Sequence, residues 1–287
     1  MAERLFIRFG DEAPPLPEST TPDGVMRAFL PSRALSPYVV QLVSYKEEIP
    51  AGQEVLERVL PDGAVRLIFN VGDAPAVGNV PGKALEAVGA CAEPAVVRLS
   101  ACVEGVSLAL RPGAASALLG MPASEITGRV VALDLLWQKD AQEVLERMAL
   151  ARGADARIRV LEEVLLRRLR RSQPTPEHTV LEAVRVITRS LGRNSVRQVA
   201  AQVGVSERRL QQLFQAQVGL TPRTYSRLAR LHGCLRALRA GTPPRWARLA
   251  QDGGFSDQSH LINEFRSLCG LTPTEFLTRE IAGSSNT

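Results

Sequence analysis

The sequence predicts an α+β fold: a small β-barrel or sandwich with trailing helices, then an all-α domain in which a long helix joins two helix-turn-helix units. Three observations carry this. Residues 38 to 111 run in short β-branched stretches broken by turn residues, and from residue 114 onward apolar residues recur at spacings of three and four. The last third holds two similar segments about fifty residues apart, each ending in Gly-Leu-Thr-Pro, at 219–222 and 270–273. A length of 287 residues suits two domains. We expect them at 1–172 and 177–280, because Ser172-Gln173-Pro174-Thr175-Pro176 breaks the chain and proline disfavours helical geometry in the residue before it.

Residues 10 to 37 hold six prolines and few apolar stretches, which predicts irregular structure. Strands follow at Val39–Ile49, Val55–Leu60, Val65–Val71, Leu85–Cys91, Val96–Ala101 and Val106–Leu110. Pro61-Asp62-Gly63 and Glu104-Gly105 are expected as hairpin turns, since glycine supplies the positive φ that tight turns need. Several short strands at this spacing favour a barrel or sandwich over a βαβ sheet.

After Arg111-Pro112-Gly113, helices are predicted at Ala114–Leu119, Ala141–Ala151 and Ala154–Arg171. Asp140 is placed to cap the second, and Asp155 opens the third, where a negative charge suits the helix dipole. On the third helix Ile158, Leu161, Val164, Leu165 and Leu169 form one apolar stripe, which must bury itself against the barrel or in a dimer seam; the two can coexist.

In the first C-terminal unit, Ser195 can cap a helix Val196–Val203, Gly204 turns the chain, and Ser206 caps a second helix that stops before Gly219. Leu210, Leu213 and Phe214 take its inward face, which leaves Arg208, Gln211, Gln212 and Gln215 together on the other. Gln matches adenine and Arg matches guanine at the major-groove edge. Alone, such a face is an ordinary solvated surface; its duplication favours base reading. A helix from Tyr225 to Ala240 follows, with Leu228, Leu231, Leu235 and Leu238 inward. Thr242-Pro243-Pro244 then opens the second unit, Gly253-Gly254 turns it, and Asp257 starts a helix to about Leu268. Its outward set is Gln258, Ser259, Ile262, Asn263 and Arg266, while Glu264 is expected in a salt bridge inside the domain. Arg227, Arg230 and Arg266 are expected on phosphates. From Ala200/Ala250 to Leu210/Leu261 the offset grows from 50 to 51, so the second turn carries one added residue.

Charge divides the same way. Residues 176–287 carry 15 Arg, no Lys and 8 acidic residues, a net of +7, whereas residues 1–175 carry a net of −2. Neutralising phosphates releases counterions and needs such a local excess. His178, His232 and His260 all lie outside the barrel, so a cupin-type metal enzyme lacks its ligands; neither a Ser/His/Asp set nor a phosphate loop is present, and no enzyme, metal or cofactor is expected. Cys91, Cys102, Cys234 and Cys269 show no CxxC spacing and read as free thiols, a Cys91/Cys102 redox pair being the alternative. The first ten residues contain no long apolar run and eighteen apolar residues never occur together, so a cytoplasmic protein off the membrane is expected.

The second unit carries Trp246-Ala247-Arg248-Leu249-Ala250, Gly254-Phe255-Ser256-Asp257-Gln258-Ser259-His260-Leu261, Phe265-Arg266, Gly270-Leu271-Thr272-Pro273 and Phe276. On these residues 178–279 resemble the DNA-binding domain of the AraC/XylS family of bacterial transcription regulators. The resemblance implies seven helices in two helix-turn-helix subdomains, promoter DNA as partner, and activation through RNA polymerase. It places base contacts on Arg208, Gln211 and Gln212, and on Gln258, Ser259, Ile262 and Asn263, of which Ile262 and Asn263 stand where many members are more polar or basic. More loosely, Leu60-Pro61-Asp62-Gly63, Leu67-Ile68-Phe69-Asn70 and Arg111-Pro112-Gly113-Ala114 resemble the sensor domain of an AraC-like subgroup. That implies a cupin-like barrel with a small-molecule effector inside and homodimerisation through the helices. Arg66, Asn70 and Arg111 are the expected effector residues, unless they serve the barrel's own backbone. The remaining readings are a protein-interaction module and an unselective DNA binder.

Overall fold

A computed structural model describes residues 3–7, 18–19, 24–172, 178–239 and 245–284. The expected domain break at 173–176, the opening Thr242-Pro243-Pro244 and much of the proline-rich 10–37 segment lie outside the described residues. The strands are β1 (Glu3–Ile7), β2 (Glu18–Ser19), β3 (Met26–Phe29), β4 (Val39–Glu48), β5 (Val55–Val59), β6 (Arg66–Asn70), β7 (Ala76–Val77), β8 (Leu85–Val88), β9 (Ala95–Leu99), β10 (Cys102–Leu110) and β11 (Val130–Ala132). They form two sheets, β2-β1-β5-β9-β7 and β11-β8-β6-β10-β4-β3. Only the β1–β5 pairing among those described is parallel.

Side chains alternate across a strand, so register decides what each face of the larger sheet carries. Leu42, Leu67, Phe69, Val106 and Leu108 share one face, and Phe69 meets the ring of Trp137 at 5.7 Å. The other face looks toward the smaller sheet, where Arg4 reaches Glu47 at 2.8 Å and Ile49, Leu99 and Val103 cluster. That inner face is polar yet buried: Gln41, Arg66, Asn70 and Ser107 lie on it, with Glu57 buried on the smaller sheet.

Two expected hairpins are corrected by this topology. Pro61-Asp62-Gly63 joins β5 to β6, which belong to different sheets, so it is a crossover, though Gly63 does take φ 74°. Glu104-Gly105 lies inside β10, and the chain changes sheet earlier, near Ala101, whose φ is 53°. A local turn signal says that the chain bends, but not which strand the next one joins.

The helices of the first part are α1 (Ala114–Leu119), a 3₁₀ turn at Ala123–Ile126, α2 (Asp134–Trp137), α3 (Lys139–Leu150) and α4 (Ala154–Ser172). The whole apolar stripe of α4 is buried in the chain's own core with residues from α1, α3 and β4, so it is not available as a dimer seam. Asp140 does not cap α3, whose N-cap is Gln138. Its carboxylate instead takes Arg168 at 2.7 Å and Arg171 at 3.0 Å from α4. Burial alone would raise its pKa, but these two guanidinium groups together hold it below the usual carboxylate range. Arg168 also lies 4.6 Å over the Trp137 ring, and Trp137 donates to the Leu118 carbonyl at 2.9 Å.

The second part holds α5 (His178–Arg189), α6 (Val196–Gln202), α7 (Glu207–Val218), α8 (Pro222–Arg239), α9 (Trp246–Asp252), α10 (Gln258–Cys269) and α11 (Pro273–Ser284). Helix starts differ by 50 between α6 and α9 and by 51 between α7 and α10, so the added residue does lie in the second turn. Each Gly-Leu-Thr-Pro has four separate jobs. Gly219 and Gly270 end a helix at φ 85° and 69°; Leu220 and Leu271 are buried; Thr221 and Thr272 accept the N–H of Thr224 and Glu275; and Pro222 and Pro273 begin the next helix. One apolar cluster runs from Leu5 in β1 to Phe276 in α11, so the barrel and the helical part share a core.

Candidate nucleic-acid interface

The caps that the sequence predicts are formed. Ser195 accepts the N–H of Gln198 at 3.2 Å while the Gln198 side chain accepts the N–H of Ser195 at 2.8 Å. Ser206 accepts the N–H of Arg209 and Asp257 that of His260. The hydrogen bonds to Asp257, from the His260 N–H first and then the Ser256 hydroxyl, lower its pKa. Each second helix of a unit therefore begins at a fixed residue, which fixes the outward set.

On α7 Leu210, Leu213, Phe214 and Val218 are buried, and Phe214 meets Tyr225 edge-on at 5.8 Å. Arg208, Gln211, Gln212 and Gln215 are all exposed on one side. On α10 Leu261, Phe265, Leu268 and Cys269 are buried, and Phe265 meets Phe276 at 5.6 Å. Gln258, Ser259, Asn263 and Arg266 are exposed, and Ile262 is half-buried. The two outward faces are chemically unequal. That of α7 offers amides and a guanidinium at every position, whereas α10 interrupts its face with an isoleucine.

Two of the three arginines expected on phosphates also have partners inside the domain. Arg227 pairs with Glu264 at 2.8 Å and reaches the Ser267 hydroxyl, which confirms the internal role expected for Glu264. Arg230 donates to the Gly192 carbonyl at 3.0 Å and lies 5.8 Å over the Phe255 ring; half-burial draws its pKa down. The sequence shows which helix an arginine is on, but not that the loop after α5 and the side chains of α10 close over it. Arg266 is exposed. His260 packs edge-on to Phe255 and bonds Ser256.

The three residues expected at an effector separate. Arg66 and Arg111 line a small cleft of about 40 Å³, open to solvent, together with Gln41, Asp62, Gln217 and Tyr225. Arg66 pairs with Asp62, and Arg111 donates Nε to the Ser36 carbonyl at 2.7 Å. Asn70 is not among the cleft residues. It is buried, donating to the Lys83 carbonyl at 2.8 Å and accepting the Tyr45 hydroxyl, so it serves the barrel's own structure.

That cleft lies between the barrel and the helical part, at contacts the sequence did not announce. Gly113 donates its N–H to the Gln217 carbonyl at 3.0 Å, and the Thr127 hydroxyl donates to the Gly219 carbonyl at 2.7 Å. His232 of α8 is buried and donates Nε2–H to the Pro61 carbonyl at 2.9 Å; burial lowers its pKa, against the pull of that carbonyl. A Cβ on Gly63 would lie 3.0 Å from Leu228 and 3.2 Å from Leu220. The motifs Leu60–Gly63 and Arg111–Ala114 were visible in the sequence as motifs; their place against α7 and α8 was not.

Residues 199–279 match a family described as a helix-turn-helix domain, and residues 27–132 one described as a domain of unknown function. A transcriptional regulator from Chromobacterium violaceum, with an AraC-type DNA-binding domain, shares 28% identity over 36% of this chain and 92% of its own, at a TM-score of 0.33. A probable AraC family transcriptional regulator from Rhodopseudomonas palustris CGA009 shares 26% over 36% and 97%, also at 0.33. Unsaturated fatty acid-bound ToxT from Vibrio cholerae shares 11% over 83% and 95%, at 0.46. The tandem units of residues 199–279 form a helix-turn-helix domain. That domain is similar in sequence to the AraC-type domains of the two regulators above and follows an N-terminal, sheet-rich domain of unknown function.

Proposed function

We propose that the chain is an effector-responsive, sequence-specific activator that lays α7 and α10 into successive major grooves of promoter DNA. The observation that carries the reading is the pair of capped helices with exposed polar faces, joined through α8 in one chain. A single chain so built reads an asymmetric site without a two-fold axis, provided the two helices sit about one duplex turn, roughly 34 Å, apart. Arg208, Gln211, Gln212 and Gln215 read bases from α7, and Gln258, Ser259, Ile262 and Asn263 from α10, with Arg266 on phosphate. RNA polymerase and a second copy of the chain belong to the same reading as partners. The test is selection of bound DNA from a pool of random-sequence duplexes. We expect enrichment of one asymmetric site and a steep fall of affinity with salt. Enrichment of no sequence, with binding retained, identifies an unselective binder; no binding at all leaves the protein-interaction reading.

The effector half rests on the cleft. Arg66 is paired with Asp62 there, which leaves the Arg111 guanidinium with the Gln41 and Gln217 amides to meet a small, singly charged anion, and an occupant would touch the end of α7 directly. A panel of small carboxylates is expected to contain at least one that raises the thermal midpoint of the wild-type chain but not that of Arg111→Ala. Equal shifts in both proteins, or none in either, remove this half.

A further inference from the structure

We propose that Thr127 and Arg58, both in the N-terminal domain, are positioning residues for the two recognition helices and set the half-site spacing that the chain accepts on DNA. This rests on the DNA-reading function proposed above.

A helix C-terminus leaves its last carbonyls without intrahelical partners and carries the negative pole of the helix dipole. For α7 those carbonyls are met from the other domain. Gln217 takes the Gly113 N–H and Gly219 takes the Thr127 hydroxyl. The approach is close enough that a Cβ on Gly219 would lie 2.9 Å from Thr127 Oγ1 and 3.1 Å from the Ala123 carbonyl. For α10 the same place is packed against a cation: among the described residues Arg58 makes no hydrogen bond to an α10 carbonyl, and its hold there is one of close packing and charge. A Cβ on Gly270 would lie 2.5 Å from Arg58 Nη1 and 3.3 Å from Pro94, and the Arg58 charge opposes the upward push of burial on the neighbouring Cys269 thiol. Arg58 is itself held by Glu3 at 2.8 Å.

The two grips come from different parts of one body. Thr127 follows the 3₁₀ turn that precedes β11 of the larger sheet, and Arg58 lies on β5 of the smaller one. The sheets are packed into a common core, so holding one helix end on each fixes α7 and α10 relative to one another through a second route besides α8. The grips also leave the reading faces clear. They act at the Gly-Leu-Thr-Pro turns, whereas base contact in such units falls on the earlier turns of the second helix, here residues 208–215 and 258–263. The duplicated turn thereby gains a further role: both copies present bare backbone to the barrel.

The experiment uses the full chain. The site is first defined by selection from random-sequence duplexes, then rebuilt with one base pair added or removed between its halves, which turns one half by about 35° relative to the other. Wild type is expected to lose about tenfold in affinity per step. A Thr127→Val, Arg58→Met double variant is expected to lose about threefold or less per step, while Thr127→Ser, Arg58→Lys restores the wild-type profile. A double variant that binds the unaltered site with a spacing profile as sharp as wild type overturns the proposal, because α8 then fixes the spacing alone. A flat wild-type profile overturns it equally. If the wild type enriches no sequence, the DNA-reading function itself fails, a result distinct from either.

Discussion

An Arg208→Ala, Gln211→Ala double substitution is expected to cost about a hundredfold or more in affinity for the selected site, since each good bidentate base contact contributes about 1 to 3 kcal/mol of discrimination. The corresponding Ile262→Ala, Asn263→Ala change in α10 is expected to cost less than about tenfold, because an isoleucine offers a thymine methyl contact at best. The difference follows from local structure. Both helices are capped at a fixed residue by Ser206 and Asp257, so the periodicity alone decides what faces outward. In α7 that periodicity brings out only side chains with groove-matching donors and acceptors, and in α10 it brings out a half-buried apolar one. Fluorescence anisotropy on the selected duplex and on a scrambled one separates base reading from charge. The α7 variant should fall steeply on the first and by only the share of one lost cation on the second. Equal losses on both duplexes, or a larger loss from the α10 pair, would show that α7 is not the dominant reader.

How much of this was legible in the sequence depends on whether the deciding interaction is local. Helix caps at Ser195 and Ser206, the helix start at Asp257, the glycine stops at 219 and 270, and the inward faces of α4 and α7 rest on residues close in sequence, and all were legible. The strands were legible as strands, yet their division between two sheets was not, since Pro61-Asp62-Gly63 gives the same turn signal for a hairpin and a crossover. Charged residues fared worst. Asp140 looked like a cap and is a receiver for arginines twenty-eight and thirty-one residues away, and Arg230, expected on phosphate, also holds the Gly192 carbonyl. Long side chains choose partners across the fold, and spacing along one helix does not reveal them. The interdomain cleft was illegible for the same reason, although two of the motifs that form it had been singled out.

Gly89→Ala is expected to destabilise the chain by about 3 kcal/mol or more, at the upper end of what overpacking a close-packed site does. Gly89 has no unusual backbone angle to explain it; the reason is proximity. It follows β8, donates its N–H to the Arg129 carbonyl at 2.8 Å, and is bracketed by the bond from the Gly128 N–H to the Ala90 carbonyl. A Cβ there would fall 1.6 Å from the Ile126 carbonyl oxygen, and Ile126 is itself buried at the end of the 3₁₀ turn. Main chain cannot swing aside as a flexible side chain does, so the turn must leave β8 or β8 must leave its sheet. Gly128 provides the contrast. It takes φ 66° with nothing within 4 Å of a Cβ, so Gly128→Ala meets only left-handed strain of about 1 to 2 kcal/mol. Urea midpoints of the two variants against wild type decide the matter, and a Gly89→Ala loss no larger than that of Gly128→Ala would show that the turn accommodates the methyl. Function should follow stability here, because the displaced turn carries Thr127. Any native Gly89→Ala that remains at low urea is expected to bind the selected site with the relaxed spacing profile of a chain whose grip on α7 is lost.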